Sequence, residues 1–413
     1  MSLLRSLAAR CAASRLPLLM LMLMLMLGLV TAPDRLQAAE SPAQAPQARA
    51  SAEAGHHASK HASKRVSKPV GKSRSGKKPA PGKHSAAVRG DEEPDTVIYG
   101  QRADAMALAD LLAERHGLDP AWARAQLAQA RYLPSVARLI MPPPAGTAKN
   151  WAAYRARFTE PERVRAGAAF WDANKAWLDA AEQRFGVPAA VVVGIIGVET
   201  FYGRVTGGTR VLDALATLSL DFPSGRKDRS AFFRDELGQF LRLAQTQQLQ
   251  TTDIKGSFAG AIGLGQFMPG SINRFALDFD ADGRIDMMGS SADVIGSVAH
   301  YLAEHGWQRG QATHFPVKPP VDSAERATLL LPDILPSFTP TQLAEHGAVL
   351  GEAALAHPGL LALVELQNGN AAPSYVAGTQ NFYAVTRYNW SSYYALAVIE
   401  LGQTVLAARG AAR

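Results

Sequence analysis

Cysteine is almost missing from this chain: its 413 residues contain one, Cys11. Everything downstream is therefore closed to a disulfide scaffold, a cysteine zinc site or a cysteine nucleophile. Long apolar runs are as scarce. Only Leu16 to Val30 exceeds a dozen residues, which excludes a polytopic membrane protein. No HExxH, GxSxG or GxxxxGKS/T sequence occurs, which removes the zincin, serine-hydrolase and P-loop readings. His300 and His305 are five apart, the wrong spacing for one helical face. Acidic residues are nearly absent from residues 40–90, which hold 2 Asp+Glu against 11 Lys+Arg, a net charge of +9. Residues 1–39 carry +3, so residues 91–413 are mildly acidic at −5 within a total of +7. The positive charge belongs to a tail rather than to a basic fold, and no specific nucleic-acid partner is expected.

Arg5, Arg10 and Arg15 precede the apolar run, and Gln37-Ala38-Ala39 follows it. A basic segment, an apolar segment too short to span comfortably and a small-residue site predict a secretory signal over 1–39, with an uncleaved anchor as the alternative. Cys11 lies before the apolar run, so it cannot be a lipoprotein cysteine. Export to the periplasm is the expected localisation. Residues 40–95, rich in Ala, Ser, Lys and Pro and without hydrophobic periodicity, predict a disordered basic linker. Its His56, His57, His61 and His84 read as solvated linker residues. Its charge fits either attachment to an anionic envelope surface or a plain spacer.

From residue 96 the pattern becomes helical, and residues 96–413 read as one folded body. Helices are predicted at Ala105–His116, Pro120–Ala130, 160–186, Ala189–Thr200, 229–247, 289–305 and 391–408. Between about 312 and 388 the character shifts, and Thr328–Leu331, Leu361–Gln367 and Phe382–Arg387 read as short strands. The fold class is α+β, mainly α, with a helical lobe and core over 96–311 and a small β-rich lobe.

Four motifs could carry chemistry. In Gly194 to Gly203, Glu199 ends an otherwise apolar helix. A carboxylate placed there is driven toward its neutral form, which suits a general acid; a helix-end cap or a pair with Arg204 is the other reading. Lys255 to Pro269 is rich in glycine and offers Ser257 and Gln266 as neutral hydrogen-bonding groups, suited to an uncharged sugar or simply to tight turns. Asp278, Asp280, Asp282 and Asp286 fall at positions 1, 3, 5 and 9 of a loop with Gly283 at position 6. This is most of an EF-hand and predicts a structural Ca²⁺, with Arg284 giving its backbone carbonyl. Position 12 is Gly289, so Asp293 closes the site if the loop is longer. Gln380 to Tyr394 combines amides with aromatic rings, as sugar sites do and as aromatic cores also do.

Together these motifs resemble the lytic murein transglycosylase B family from about Thr96 to Leu406. The resemblance implies a lysozyme-like fold: a helical core holding the cleft, flanking helices and a small β-rich lobe. It implies cleavage of the β-1,4 bond between N-acetylmuramic acid and N-acetylglucosamine in peptidoglycan, with a 1,6-anhydro product and no cofactor for catalysis. It places Glu199 as the acid and base, and Ser257, Gln266, Tyr388, Asn389, Tyr154 and Tyr301 around the sugar. The expected partner is the peptidoglycan glycan strand, met by a monomer. Two other readings share these residues: a goose-lysozyme-like muramidase that admits water, and a non-catalytic peptidoglycan-binding protein.

Overall fold

This computed structural model describes residues 97–142 and 148–411; the signal read over 1–39, the linker read over 40–95, and Pro143 and Pro144 lie outside them. The first helices are Ala103–His116 and Pro120–Leu127, the second begun by Asp119, whose carboxylate accepts the Trp122 amide at 2.6 Å. Residues 160–186 form two helices, Pro161–Ala173 and Lys175–Phe185. The helices Ser230–Thr246, Ser291–Glu304 and Ser392–Ala411 fall within a few residues of the predicted spans. Among the described residues no single helix is long and apolar enough to cross a membrane.

The Ala189–Thr200 helix is the hub. Every one of its residues is buried, because a helix apolar on all sides has no face to give to water. The helices Pro161–Ala173, Lys175–Phe185, Ser291–Glu304 and Ser392–Ala411 pack around it. Its contact with the last of these is backbone to backbone. A Cβ at Gly194 would fall 2.2 Å from the Val398 carbonyl oxygen, and one at Gly402 would fall 2.0 Å from that of Ala190. Glycine is required at both, since any side chain would separate the helices.

A short antiparallel pair, β1 (Thr209–Arg210) and β2 (Lys255–Gly256), joins the end of the hub region to the glycine-rich loop. The β-rich lobe is a four-stranded antiparallel sheet of β3 (His314–Lys318), β4 (Val349–Leu350), β5 (Ala362–Asn368) and β6 (Ala371–Gly378), in the order β4-β3-β6-β5. Strand side chains alternate between faces. On β5, Ala362, Val364 and Leu366 enter the main core, while Leu363, with Leu361 just before the strand, enters a small second core with Leu329, Leu343 and Ala377.

Two strand readings are corrected. Thr328–Leu331 falls largely within the helix Ser323–Leu330, started by Asp322, whose side chain accepts the Ala324 and Glu325 amides. Phe382–Arg387 is the middle of the helix Gln380–Asn389, started by Thr379, whose hydroxyl accepts the Asn381 amide. In both segments a side-chain cap outweighs local β-propensity. The sheet thus ends at Gly378, and the fourth motif is helical.

The glycine contact gives a direct test. Gly194→Ala is expected to lower stability by about 1–3 kcal/mol through overpacking, seen as a lower melting temperature. Gly208→Ala, at a position where a Cβ would meet no atom within 4 Å, is the near-neutral control.

Candidate active site

Glu199 sits in the last turn of the hub helix with 8% of its surface exposed. Phe201 and Tyr202 follow in left-handed conformation (φ 53° and 58°) and end the helix. The buried Arg163 donates to the Gly197 carbonyl at 2.7 Å, and its guanidinium lies 4.3 Å from the Phe201 ring centre. A cation at that end opposes the partial negative charge of the helix C-terminus. The Thr200 hydroxyl donates to the Leu264 carbonyl at 2.9 Å and ties the helix end to the glycine-rich loop.

The partner of Glu199 is Tyr394, fully buried on the Ser392–Ala411 helix, whose hydroxyl donates to Oε1 at 2.8 Å. Arg204 pairs instead with Glu162, so Glu199 has no cationic partner there. Burial pushes the Glu199 carboxyl up to about 8, against a smaller downward pull from the Tyr394 hydrogen bond. Near neutral pH the group holds a proton, and with Oε1 occupied by the tyrosine that proton is left to Oε2.

Glu199 opens on a cleft whose walls include Gln266, Phe267, Met268, Tyr301, Tyr388 and Asn389. Gln266 adopts φ 51° and donates through Nε2 to the Thr206 and Gly263 carbonyls at 3.0 and 2.8 Å. Its Oε1 is buried and has no partner among the described residues; Asn389 Oδ1 is in the same condition. Two orphaned acceptors on one cleft carry a desolvation cost that a ligand's N–H or O–H would remove. Tyr388 and Tyr301 are held by donating to the Gly265 carbonyl at 2.5 Å and the Arg387 carbonyl at 2.7 Å. Tyr388 also stacks on Tyr394, with ring centres 6.1 Å apart and planes 14° apart.

Two of the expected sugar-site residues are placed differently. Ser257 is 1% exposed and is not among the cleft-lining residues. Its Oγ accepts the Ala259 and Ala261 amides at 3.3 and 2.9 Å, which shapes the glycine-rich loop. Tyr154 also lies off the lining and packs among Trp151, Phe158 and Tyr393, although it feels the charge of Glu199. Sequence reasoning placed Tyr394 in the aromatic motif without a role of its own and did not pick out Glu236, Ser271, Arg274 or Phe232. Glu236 is a second carboxyl of the cleft, pushed up to about 7 by burial; it accepts the Gly270 amide at 2.8 Å.

In the aspartate loop, carboxylate oxygens of Asp278, Asp280 and Asp282 gather within 4.8 Å of one another. An all-oxygen set of this kind fits a hard cation such as Ca²⁺. Gly283 turns the chain at φ 90°, and Ser290 Oγ donates to Asp280 Oδ2 at 3.0 Å. Asp286 and Asp293 are not in that cluster. Asp286 accepts the Met288 and Gly289 amides, and Asp293 accepts those of Phe279 and Asp286, both at 2.7 Å. The Arg284 side chain is exposed.

Residues 100–403 match the sequence family described as the transglycosylase SLT domain. The membrane-bound lytic murein transglycosylase B of Escherichia coli is 39% identical over 319 residues, which cover 75% of this chain and 85% of that protein. The Escherichia coli lytic transglycosylase SLT35, solved in complex with calcium, is 39% identical with a TM-score of 0.65 and covers 75% of this chain and 95% of that one. SltB3 from Pseudomonas aeruginosa, solved with NAG-anhNAM-pentapeptide, is 28% identical with a TM-score of 0.62, covering 73% and 79%. With its buried acid, its cleft and these relatives together, the chain belongs to the lytic murein transglycosylase family, peptidoglycan-cleaving enzymes of lysozyme-like fold.

Proposed function

We propose that Glu199 carries the reaction alone, as acid and then as base. The observation that supports this reading is the buried Glu199 carboxyl, fixed by Tyr394 and facing a cleft that offers two unpartnered acceptors. The Oε2 proton passes to the oxygen leaving toward N-acetylglucosamine as its bond to C1 of the muramic acid breaks. The muramic acetamido group shields the electron-poor C1. Glu199, now a carboxylate, takes the proton of the C6 hydroxyl, whose oxygen closes on C1 as the 1,6-anhydro ring. The proton returns to Glu199 and no water is consumed. An inverting glycosidase, or one that forms a covalent enzyme intermediate, uses a second carboxylate beside the acid. Glu236 is poorly suited to that task, because it is tied to the Gly270 amide and burial raises its pKa.

Gln266 Oε1 and Asn389 Oδ1 would accept the acetamido N–H and sugar hydroxyls, and Tyr388 and Tyr301 would give the rings an aromatic wall. Ser257 and Tyr154 would act one step back, by holding the loop and the aromatic cluster behind Glu199. The aspartate loop would hold a structural Ca²⁺ through Asp278, Asp280 and Asp282 and the Arg284 carbonyl, with Asp286 and Asp293 bracing the loop or completing the set. Such an ion would offset the repulsion among the clustered carboxylates and would take no part in bond cleavage. The exported chain would work in the periplasm, its basic tail held at the anionic envelope.

The decisive experiment is mass spectrometry of muropeptides released from purified sacculi. Wild type is expected to release anhydro-muropeptides, and Glu199→Gln is expected to bind sacculi without releasing them. Reducing ends in place of anhydro ends would assign the protein to the muramidases. Tyr394→Phe is expected to keep the fold and raise the Glu199 pKa further, shifting the alkaline limb of the kcat profile upward.

The raised pKa also fixes a stability trend. Between the ordinary value of 4.5 and about 8 the folded chain holds a proton that the unfolded chain has released. Stability therefore falls as pH rises through that window. Glu199→Gln removes the penalty, so its melting temperature should match wild type below pH 4.5 and exceed it by several degrees above pH 8. For the metal, added Ca²⁺ should raise the melting temperature of wild type and leave Asp280→Asn unmoved; identical wild-type curves with Ca²⁺ and with chelator would remove the site.

A further inference from the structure

The hub helix ends on a costly backbone. Phe201, Tyr202 and Gly203 follow one another in left-handed conformation, at φ 53°, 58° and 85°. Residues with side chains visit that region singly and seldom, so two in succession relax unless their surroundings hold them. The turn starts directly beyond Glu199 and Thr200, and the Phe201 amide donates to the Gly197 carbonyl at 3.1 Å, spanning the acid. Any relaxation of the turn therefore re-aims the Glu199 side chain.

Arg163 is the side chain that holds this turn. It belongs to the Pro161–Ala173 helix and is only 1% exposed. Its Nη1 donates to the Gly197 carbonyl at 2.7 Å, so one oxygen takes both the helix bond and the cation. Its Nε and Nη2 meet Glu160 Oε1 at 3.2 and 3.1 Å. The guanidinium lies 4.3 Å from the Phe201 ring centre, and that of Arg204, paired with Glu162, lies 4.6 Å from the same centre. The Tyr202 ring is admitted by Gly167 and Gly197, where a Cβ at either would fall 2.4 Å from its hydroxyl oxygen. A buried guanidinium is costly, and a neutral side chain could fill such a space with no loss of stability. Stability alone therefore does not account for a cation at this helix end.

We infer that Arg163 is a positioning residue for Glu199: it pins the left-handed end of the hub helix through the Gly197 carbonyl and the Phe201 ring, and so aims the carboxyl at Tyr394 and the cleft. This rests on the reading of Glu199 as the acid. Arg163 is not among the cleft-lining residues and acts through the backbone. The titratable groups that face Glu199 are Tyr394, Tyr388 and Tyr154, each on a different helix and each neutral near pH 7. The strength of the acid is thus set by its burial. A freed helix end would admit water and return the carboxyl toward its ordinary range. Loss of a nearby positive charge by itself would move it the other way, so the sign of the shift separates positioning from plain electrostatics.

The test uses Arg163→Met, which removes the charge, and Arg163→Lys, which keeps the charge and gives up the fork. Kinetics on glycan strands and binding of an N-acetylglucosamine oligomer are measured for each. Melting temperatures are measured for each with and without Glu199→Gln, below pH 4.5 and above pH 8. Arg163→Met is expected to lower kcat per folded molecule about ten- to a hundredfold, to move the alkaline limb of the kcat profile to lower pH and to leave oligomer affinity in place. The gain in melting temperature that Glu199→Gln gives above pH 8 should shrink in this background, because a hydrated Glu199 ionises without penalty. Arg163→Lys should fall between wild type and Arg163→Met. A lower melting temperature with kcat, limb and gain all at wild-type values makes Arg163 a packing residue and overturns the inference; so does an alkaline limb moved upward. If Arg163→Met does not fold, Arg163→Lys decides by the same readings, displaced values supporting the role and wild-type values overturning it. If Glu199→Gln turns over like wild type, the acid reading fails by itself; the gain in melting temperature still reads whether Arg163 sets the surroundings of Glu199.

Discussion

The closeness of two helices sets the chemistry of this protein. The hub helix and the C-terminal helix touch backbone to backbone because Gly194 and Gly402 carry no side chain at the crossing. Glu199 rides on the first helix and Tyr394 on the second, and the 2.8 Å bond between them is possible only at this separation. Wider spacing would admit water to the carboxyl, lower its pKa and remove its single oriented donor. Packing of the most ordinary kind thus controls an acid strength.

The same arrangement explains how one carboxyl could serve in both halves of a reaction. A group that titrates near 8 gives up and recovers a proton near neutral pH without a large penalty in either direction. Around it the cleft divides its labour. Uncharged acceptors, Gln266 Oε1 and Asn389 Oδ1, stand with the acid, and the Arg274 and Arg387 guanidinium groups line the same cavity. Gln266 adopts a left-handed backbone, and both of its amide protons go to main-chain carbonyls. Local strain and an orphaned oxygen coincide at one residue, a combination found where a site is organised before its ligand arrives.

Much of this was legible in the residue order. A helix with no polar face that ends in a lone Glu announces a buried carboxyl, and Ala189–Thr200 is buried throughout. Gln266 stood out by residue type, and Tyr388 and Asn389 through the family resemblance; all three line the cleft. Tyr394 could not be assigned, because nothing local states that a residue 195 positions along the chain meets Glu199. Glu236 looked like any polar residue of an amphipathic helix, and only the arrival of Gly270 makes it internal. Ser257 was chosen for its hydroxyl, yet the tight turn that exposes other groups of the loop consumes that oxygen on two amides. The helices misread as strands, at Ser323–Leu330 and Gln380–Asn389, were decided by single capping side chains, which count for little in an average over neighbouring residues.

The Gln380–Asn389 and Ser392–Ala411 helices supply Tyr388, Asn389 and Tyr394, all within the last thirty-odd described residues. The acid itself is made near the middle of the chain. During synthesis the acid therefore exists for some two hundred residues before its cover does, exposed and with an ordinary carboxylate pKa. A chain truncated before the final helix would carry every residue of the hub, yet its Glu199 would be ionised at neutral pH and would have no proton to give. Activity is thus a property of the finished molecule, withheld by topology until the last segment has docked.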